Sequence, residues 1–282
     1  MAARTSPPRV PFFGRLALSF AAVSVGAVLV WPALRSVPAS EAGPPFGQVW
    51  IGTQGTIGRI HNIQDSLAER FFDAPTSYGL GGGWKSSVPT ESWASASAFI
   101  EDLDAGRIAS TTRAVMYDPE HWLATPVRER RDPVAAMAQF ADAAREAGYA
   151  VVITPHPNLV DVPRATCGRT PDEAVEVAFL RCGIQAGAAR VADVVEVQAQ
   201  FLQENPSAYR ALVERAAEQA RAVNPDVIVL AGLSTRYAER GDVMLRAWDA
   251  VFGLVDGHYL AMPEGIRPLV AAEFLGLVSS RG

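Results

Sequence analysis

Asp118 and Glu120 stand two residues apart where a short apolar run gives out: residues 114–126 read AVMYDPEHWLATP. Side chains of a strand alternate between its faces, so Ala114, Met116, Asp118 and Glu120 share one face and Val115 and Tyr117 take the other. Pro119 has no N–H to give a ladder, which ends pairing there and leaves both acids at the strand's carboxyl end. Two carboxyl groups in one apolar-walled site are driven to different pKa values, one protonated near neutrality and the other charged. That pair is what glycoside hydrolysis requires. A local reading competes with it, in which Asp118 opens a turn and Glu120 caps the next segment.

Asp193–Gln200 (DVVEVQAQ) is the second informative stretch. Glu196, Gln198 and Gln200 share one face and Val195, Val197 and Ala199 the other. Strands buried on both faces normally read as continuous apolar runs, and long polar side chains placed inside need partners. The stretch therefore lines a polar pocket or forms an exposed edge, and the pattern around it favours the pocket. Polar groups also follow other strands: Thr154, His156 and Asn158; Ser234, Thr235 and Arg236; His258 and Tyr259 with Glu264 beyond them. Trp50, Trp84, Tyr117 and Trp122 lie close to strand ends, where aromatic faces can stack on sugars; core packing is the competing role for the tryptophans. A metal at the mouth would recruit His156 and His258 with Asp118 or Glu120. Gly232-Leu-Ser234-Thr-Arg236 lacks the last glycine of the nucleophile-elbow motif, and neither H-E-x-x-H nor a P-loop is present.

These groups need a scaffold, and the chain supplies strands and helices in alternation. Strands are expected at Gln48–Gly52, Ser77–Trp84, Ala114–Asp118, Ala150–Thr154, Asp193–Gln200, Asp226–Ala231 and Gly257–Ala261. Helices are expected over Asn62–Phe72, Glu91–Ala105, from Asp132-Pro133 to Gly148, from Thr170 to Arg190, from Asn205-Pro206 to Val223, Asp242–Phe252 and Arg267–Leu277. Asp-Pro and Asn-Pro supply an N-cap followed by proline at the first helical position. Alternation with short connections implies parallel strands and right-handed crossovers. Residues 48–282 are close to the length of a (β/α)8 barrel, about 250 residues. With seven strands in view, the eighth is hidden in Ser86–Ser110 or the barrel is incomplete. A doubly wound sheet is the alternative, and its glycine fingerprint is absent.

Composition bounds the setting. The 282 residues carry 25 basic and 30 acidic side chains, and Lys85 is the only lysine. Arg4, Arg9 and Arg15 precede an uncharged run, Leu16–Leu34, that stops at Arg35. The run is long for a signal peptide's apolar region and long enough to span a bilayer, with the N-terminus cytoplasmic. Val37-Pro38-Ala39 resembles a cleavage site. The expected organisation is a signal peptide or membrane anchor over 1–39, a linker over 40–47 and a barrel domain over 48–282. The part beyond residue 39 is acidic, which argues against nucleic acid and anionic membrane surfaces as its partners. Cys167 and Cys182 are the only cysteines; in an exported chain they are expected to form one disulfide closing a loop of about 15 residues, worth roughly 3 kcal/mol.

The order of motifs resembles family 18 glycoside hydrolases, the chitinase-like barrels. The residues that carry the likeness are Trp50-Ile-Gly-Thr-Gln54, Gly79-Leu-Gly-Gly-Gly83, Asp118-Pro-Glu120, and Val197-Gln198 followed by Asn205-Pro206 and Tyr209. The resemblance implies Glu120 as general acid, Asp118 steadying the substrate's acetamido group, and Gln198 touching that group. The chain departs from the family's D-x-x-D-x-D-x-E pattern at Arg113 and Met116, counts the D-x-E strand third instead of fourth, and lacks the usual tryptophan near Met262–Glu264. The phrase YDPEHW with its following Thr-Pro also resembles exported actinobacterial proteins. The assembled expectation is an exported monomeric barrel acting on a wall or extracellular glycan without a cofactor, its site lined by Glu196, Gln198, Gln200, Trp84, Tyr117, Trp122, His156, Tyr259 and Glu264. The expected partner is a glycan or small-molecule ligand, and the alternatives are a non-catalytic barrel binding a glycan or another wall component, and a metal-dependent hydrolase using His156 and His258.

Overall fold

Eight parallel strands close into a barrel in strict chain order, each hydrogen-bonded to the next and β8 to β1. The computed structural model describes residues 44–263 and 266–282; the expected leader over 1–39 and Glu264 lie outside them. The strands are β1 (Val49–Thr53), β2 (Tyr78–Leu80), β3 (Val88–Trp93), β4 (Ala114–Tyr117), β5 (Ala150–Ile153), β6 (Val194–Val197), β7 (Ile228–Ser234) and β8 (Gly257–Ala261). Around them run α1 (Gln54–Ile63), α2 (Asp65–Phe72), α3 (Ala96–Asp104), α4 (Val127–Arg131), α5 (Pro133–Glu146), α6 (Val175–Arg181), α7 (Ile184–Val191), α8 (Pro206–Val223), α9 (Gly241–Val251) and α10 (Pro268–Ser279). No helix among the described residues is long and apolar enough to cross a membrane.

The eighth strand is β3, within the stretch where it was sought, and it corrects the reading of Glu91–Trp93 as helix. Counting it makes the Asp118-Pro-Glu120 strand the fourth. No helix separates β2 from β3. Residues 81–87 turn the chain instead, with Gly81, Gly82 and Gly83 all at positive φ. A Cβ at Gly79 would lie 2.6 Å from Gly83 Cα, so this turn closes only on glycine. The expected Thr170–Arg190 helix is two helices, broken at Gly183, which takes a left-handed conformation (φ 63°). Cys167 and Cys182 are bonded, their Cα atoms 5.6 Å apart, and tie the β5–α6 connection to that break.

Strand alternation sorts two cores. Val49, Ile51, Leu80, Met116, Val152, Val194 and Leu230 fill the barrel, while Trp50, Val115, Tyr117, Ile153, Val195, Val197 and Leu260 pack outward against the helices. Because catalytic barrels carry their chemistry at the carboxyl ends of the strands, the inward register of β4, β5, β6 and β8 decides what reaches the mouth.

Candidate active site

β4 ends at Tyr117, just short of its proline as expected, but backbone bonds continue beyond it. Asp118 N donates to Trp93 O (2.9 Å), and the Pro119 carbonyl, which needs no N–H, accepts from His156 N (3.1 Å). Backbone hydrogen bonds to the neighbouring segments thus reach Pro119, beyond the strand proper. Asp118 keeps the inward register of Ala114 and Met116. Glu120 then enters a loop wound around the buried Thr125, whose Oγ1 accepts from Glu120 N (3.2 Å) and Trp122 Nε1 (3.0 Å).

Asp118 Oδ1 accepts two hydrogen bonds, from Thr154 Oγ1 (2.8 Å) on the end of β5 and from Gln198 Nε2 (2.9 Å) on the end of β6. Gln198 Nε2 also donates to Thr154 O (2.7 Å), and Gln198 Oε1 accepts from Gln200 Nε2 (3.1 Å). Three strand ends are thereby joined through amide and hydroxyl groups. Burial pushes Asp118 up to about 6, against the two hydrogen bonds that favour its ionised form. Burial and then the neighbouring Asp118 push Glu120 up to about 7, while Arg236 pulls it the other way.

Glu196 lies deeper on β6, 2% exposed. Burial raises it well above the ordinary carboxyl range, and Asp118 and Glu120 add to that. Its Oε2 and Gln200 Oε1 have no hydrogen-bond partner. Room for both side chains comes from the neighbouring strand: a Cβ at Gly232 on β7 would overlap Glu196 Oε1 and lie 2.6 Å from Gln200 Oε1. Of the expected triad, then, Gln198 is paired, Glu196 has a carboxyl oxygen unpartnered, and Gln200 reaches the group from a 3-10 turn (Gln200–Leu202) beyond the strand. Tyr259 on β8 faces the same carboxyls; burial first, then Glu196, Asp118 and Glu120, raise its hydroxyl.

Other expected residues divide between the rim and the outer layer. His156 is on the rim, its Nδ1 accepting from Asn158 N (3.0 Å) and its ring 6.5 Å from that of Phe201; burial lowers its pKa. Trp122 is on the β4–α4 loop, 46% exposed, beside the almost fully exposed Leu123. Tyr117, by contrast, points outward, stacks on Phe140 (5.1 Å) and donates to Glu129 Oε2 (3.0 Å). Trp84 packs in the outer layer against His61 (5.2 Å). His258 also faces outward, 5.3 Å from the Trp50 ring, and burial lowers it to about 3. It therefore cannot join His156 at the mouth, and the described residues contain no group of three or more His, Cys, Asp and Glu able to hold a metal ion.

Sequence reasoning passed over Glu129 and Gly232. Glu129, on α4, accepts from Ala96 N (2.8 Å), Ser97 N (3.1 Å), Ser97 Oγ (2.6 Å), Ser95 Oγ (3.2 Å) and the Tyr117 hydroxyl. Ser95, Ala96 and Ser97 lie 32–34 residues before it and Tyr117 lies 12 before it, and no local pattern announces them.

The fold and the mouth define a (β/α)8 barrel with carboxyl groups gathered at the ends of β4 and β6. No family model and no curated protein sequence matches the chain. Among solved structures it is similar to a Schiff-base-forming fructose-1,6-bisphosphate aldolase (14% identity, TM-score 0.43, 83% of this chain and 94% of that one). It is also similar to triosephosphate isomerase from Bartonella henselae (11%, 0.36, 83% and 99%) and to a sugar phosphate isomerase/epimerase from Parabacteroides distasonis (9%, 0.32, 86% and 97%). All three have the barrel architecture in common with it, and none bears on the chemistry of this chain.

Proposed function

We propose that this barrel is a glycoside-hydrolase-like enzyme of the outer cell compartment, acting on a wall or extracellular glycan with Glu120 as general acid. The observation that carries the reading is the pair Asp118 and Glu120, raised to about 6 and about 7 on one strand end. Between those values Asp118 is charged while Glu120 still holds a proton to give to a leaving oxygen. The fourth-strand position of Asp118-Pro-Glu120 supports the resemblance to family 18 glycoside hydrolases, which carry their D-x-E there. On that reading Asp118 steadies the substrate's acetamido group for attack on the anomeric carbon, and Gln198, already bonded to Asp118, orients it. Met116 stands where the family has an acid, and Glu196 from β6 is the further carboxyl in the mouth. Trp122 and Tyr259 offer ring faces to the sugar. The apolar run Leu16–Leu34 and the Cys167–Cys182 bond support export, since disulfides persist in oxidising compartments.

Turnover of N-acetylglucosamine oligomers against pH tests this. The expected profile is a narrow bell whose acid limb falls near 6 and whose alkaline limb falls near 7, the two limbs belonging to the coupled pair. Asp118→Asn should remove the acid limb and cut turnover. A panel of neutral and acidic glycans left intact at every pH would reject the reading.

A further inference from the structure

A cavity with a volume of about 530 Å³ opens on the same rim, beside the β7–α9 connection and the start of α10. Arg236, Arg240, Arg246 and Arg267 line it together with Tyr237. Four guanidiniums around one cavity stand out in a chain whose formal charge is −5.

The cavity is held in shape from within. Arg267 Nη1 donates to the carbonyls of Thr235 (3.3 Å), Arg236 (3.3 Å) and Ala238 (2.9 Å), clamping the turn that presents Arg236. Thr235 Oγ1 fastens the same turn to Ile266 O (2.6 Å). One carboxylate, Asp242, accepts from both Arg240 Nε (2.7 Å) and Arg246 Nη1. A guanidinium has five N–H donors, so Arg240 and Arg246 are positioned by Asp242 and keep donors to spare. Glu204 and Glu239 line the cavity too; both are exposed, and Glu239 pairs with Arg267 (3.4 Å). Arg236 makes no ion pair among the described residues. It stands between this cavity and Glu120, close enough to act on that carboxyl electrostatically.

We propose that this cavity is a subsite for an acidic substituent of the glycan, a carboxylate or a phosphate, on the sugar unit adjoining the bond that Glu120 protonates. The inference rests on the hydrolase reading and names its substrate class. Guanidinium forks fit carboxylate and phosphate oxygens in pairs of parallel hydrogen bonds. Tyr237 supplies an aromatic wall for the sugar ring. An anion bound beside Arg236 also offsets the cation that draws the proton off Glu120, so a substrate of this class keeps its own general acid protonated.

Steady-state kinetics on three matched oligosaccharides, one neutral, one carrying a uronic acid and one carrying a phosphate, tests the subsite. For the wild-type enzyme KM for one charged substrate should lie about tenfold below that of the neutral one, a difference that shrinks when salt is raised from about 0.05 M to about 0.3 M. Whichever charged substrate shows the larger contrast identifies the anion. Arg240→Gln should collapse the charged-to-neutral ratio of kcat/KM through KM, whereas Arg236→Gln should also move the alkaline limb of the pH profile upward. Equal KM values for neutral and charged substrates, or a ratio untouched by Arg240→Gln, overturn the subsite while leaving the hydrolase reading in place. If no oligosaccharide is cleaved, the hydrolase reading fails instead, and calorimetric titration of the same three compounds reads the subsite alone. Tighter binding of a charged compound, weakened by Arg240→Gln, upholds it, and no preference overturns it.

Discussion

Two glutamates, Glu129 and Glu196, are almost equally buried, at 3% and 2% exposure, and their circumstances are opposite. Glu129 lies in the outer layer between α3 and α4. Burial alone would raise its pKa, but hydrogen bonds from Ser97, Ala96 and Tyr117 outweigh that and hold it below the usual range. It serves as a cap for α3 supplied by another helix, where the first N–H groups have no partner of their own. Glu196 lies in the barrel, with a bare oxygen and two other carboxyls in its field. Burial by itself therefore does not single out a working carboxyl. What sets Glu196 apart from Glu129 is an oxygen left without a partner, in a space kept open by a glycine.

The sharpest way to break this contrast is at the mouth. Glu120→Gln keeps the shape and removes the transferable proton, so turnover should fall by a factor of roughly 10²–10⁴ while the melting temperature holds. Wild-type turnover in a folded Glu120→Gln variant would leave the mouth without a general acid. In the outer layer the expected effect is on stability alone. Glu129→Ala strips acceptors from Ala96, Ser97 and Tyr117 and should cost about 2–4 kcal/mol, read by denaturant unfolding, with turnover per folded molecule unaltered. Gly232→Ala is next. Its Cβ would intrude on Glu196 and Gln200, so a cost of about 1–3 kcal/mol and weaker glycan binding are expected; unchanged binding would mean that those two side chains are not part of the pocket.

The smallest effect separates the two glutamates by sign. A carboxyl whose native pKa is raised contributes stability that is complete below its unfolded value and is lost as pH climbs through the native one. Glu196→Gln escapes that loss, so its melting temperature should gain on the wild type as pH rises from about 5 to about 9. Glu129 is depressed, and its contribution is present above the ordinary glutamate pKa and lost on acidification. Glu129→Gln should therefore be most harmful near neutrality and least harmful in acid. Parallel curves for the two variants would erase the distinction drawn between the sites.

Most of the barrel was legible because apolar runs and capped helix starts alternate along the chain. β3 was not, for a physical reason. Val88–Trp93 (VPTESW) has one aliphatic residue and a proline, and Trp93 and Phe99 fall near helical spacing, so a strand that pairs with β2 and β4 reads as the start of α3. α1 was missed because Gly55 and Gly58 weaken its pattern; what fixes its start is Thr53, whose Oγ1 accepts from Thr56 N (3.0 Å). In the site, Asp118 and Gln198 followed from two-residue alternation, whereas Tyr259 was singled out only as a polar group of the last strand. Tyr117 and His258 were named against that same alternation, since each is the immediate neighbour of an inward residue and must face the helices. Gly232 and Glu129 matter through residues distant in sequence, and a single chain read in order carries no mark of such pairs.

The turn over residues 81–87 has a further consequence, for the order in which the barrel forms. It is the shortest of the crossovers between neighbouring strands, whereas β8 must find β1 across most of the described chain. Loop closure costs entropy that grows with the length enclosed, so β2 and β3 are the pair that meets at the least entropic expense. The glycine turn that leaves the barrel without a helix on that flank also gives it a local parallel pairing, a contact of short sequence separation in a topology otherwise built from distant ones.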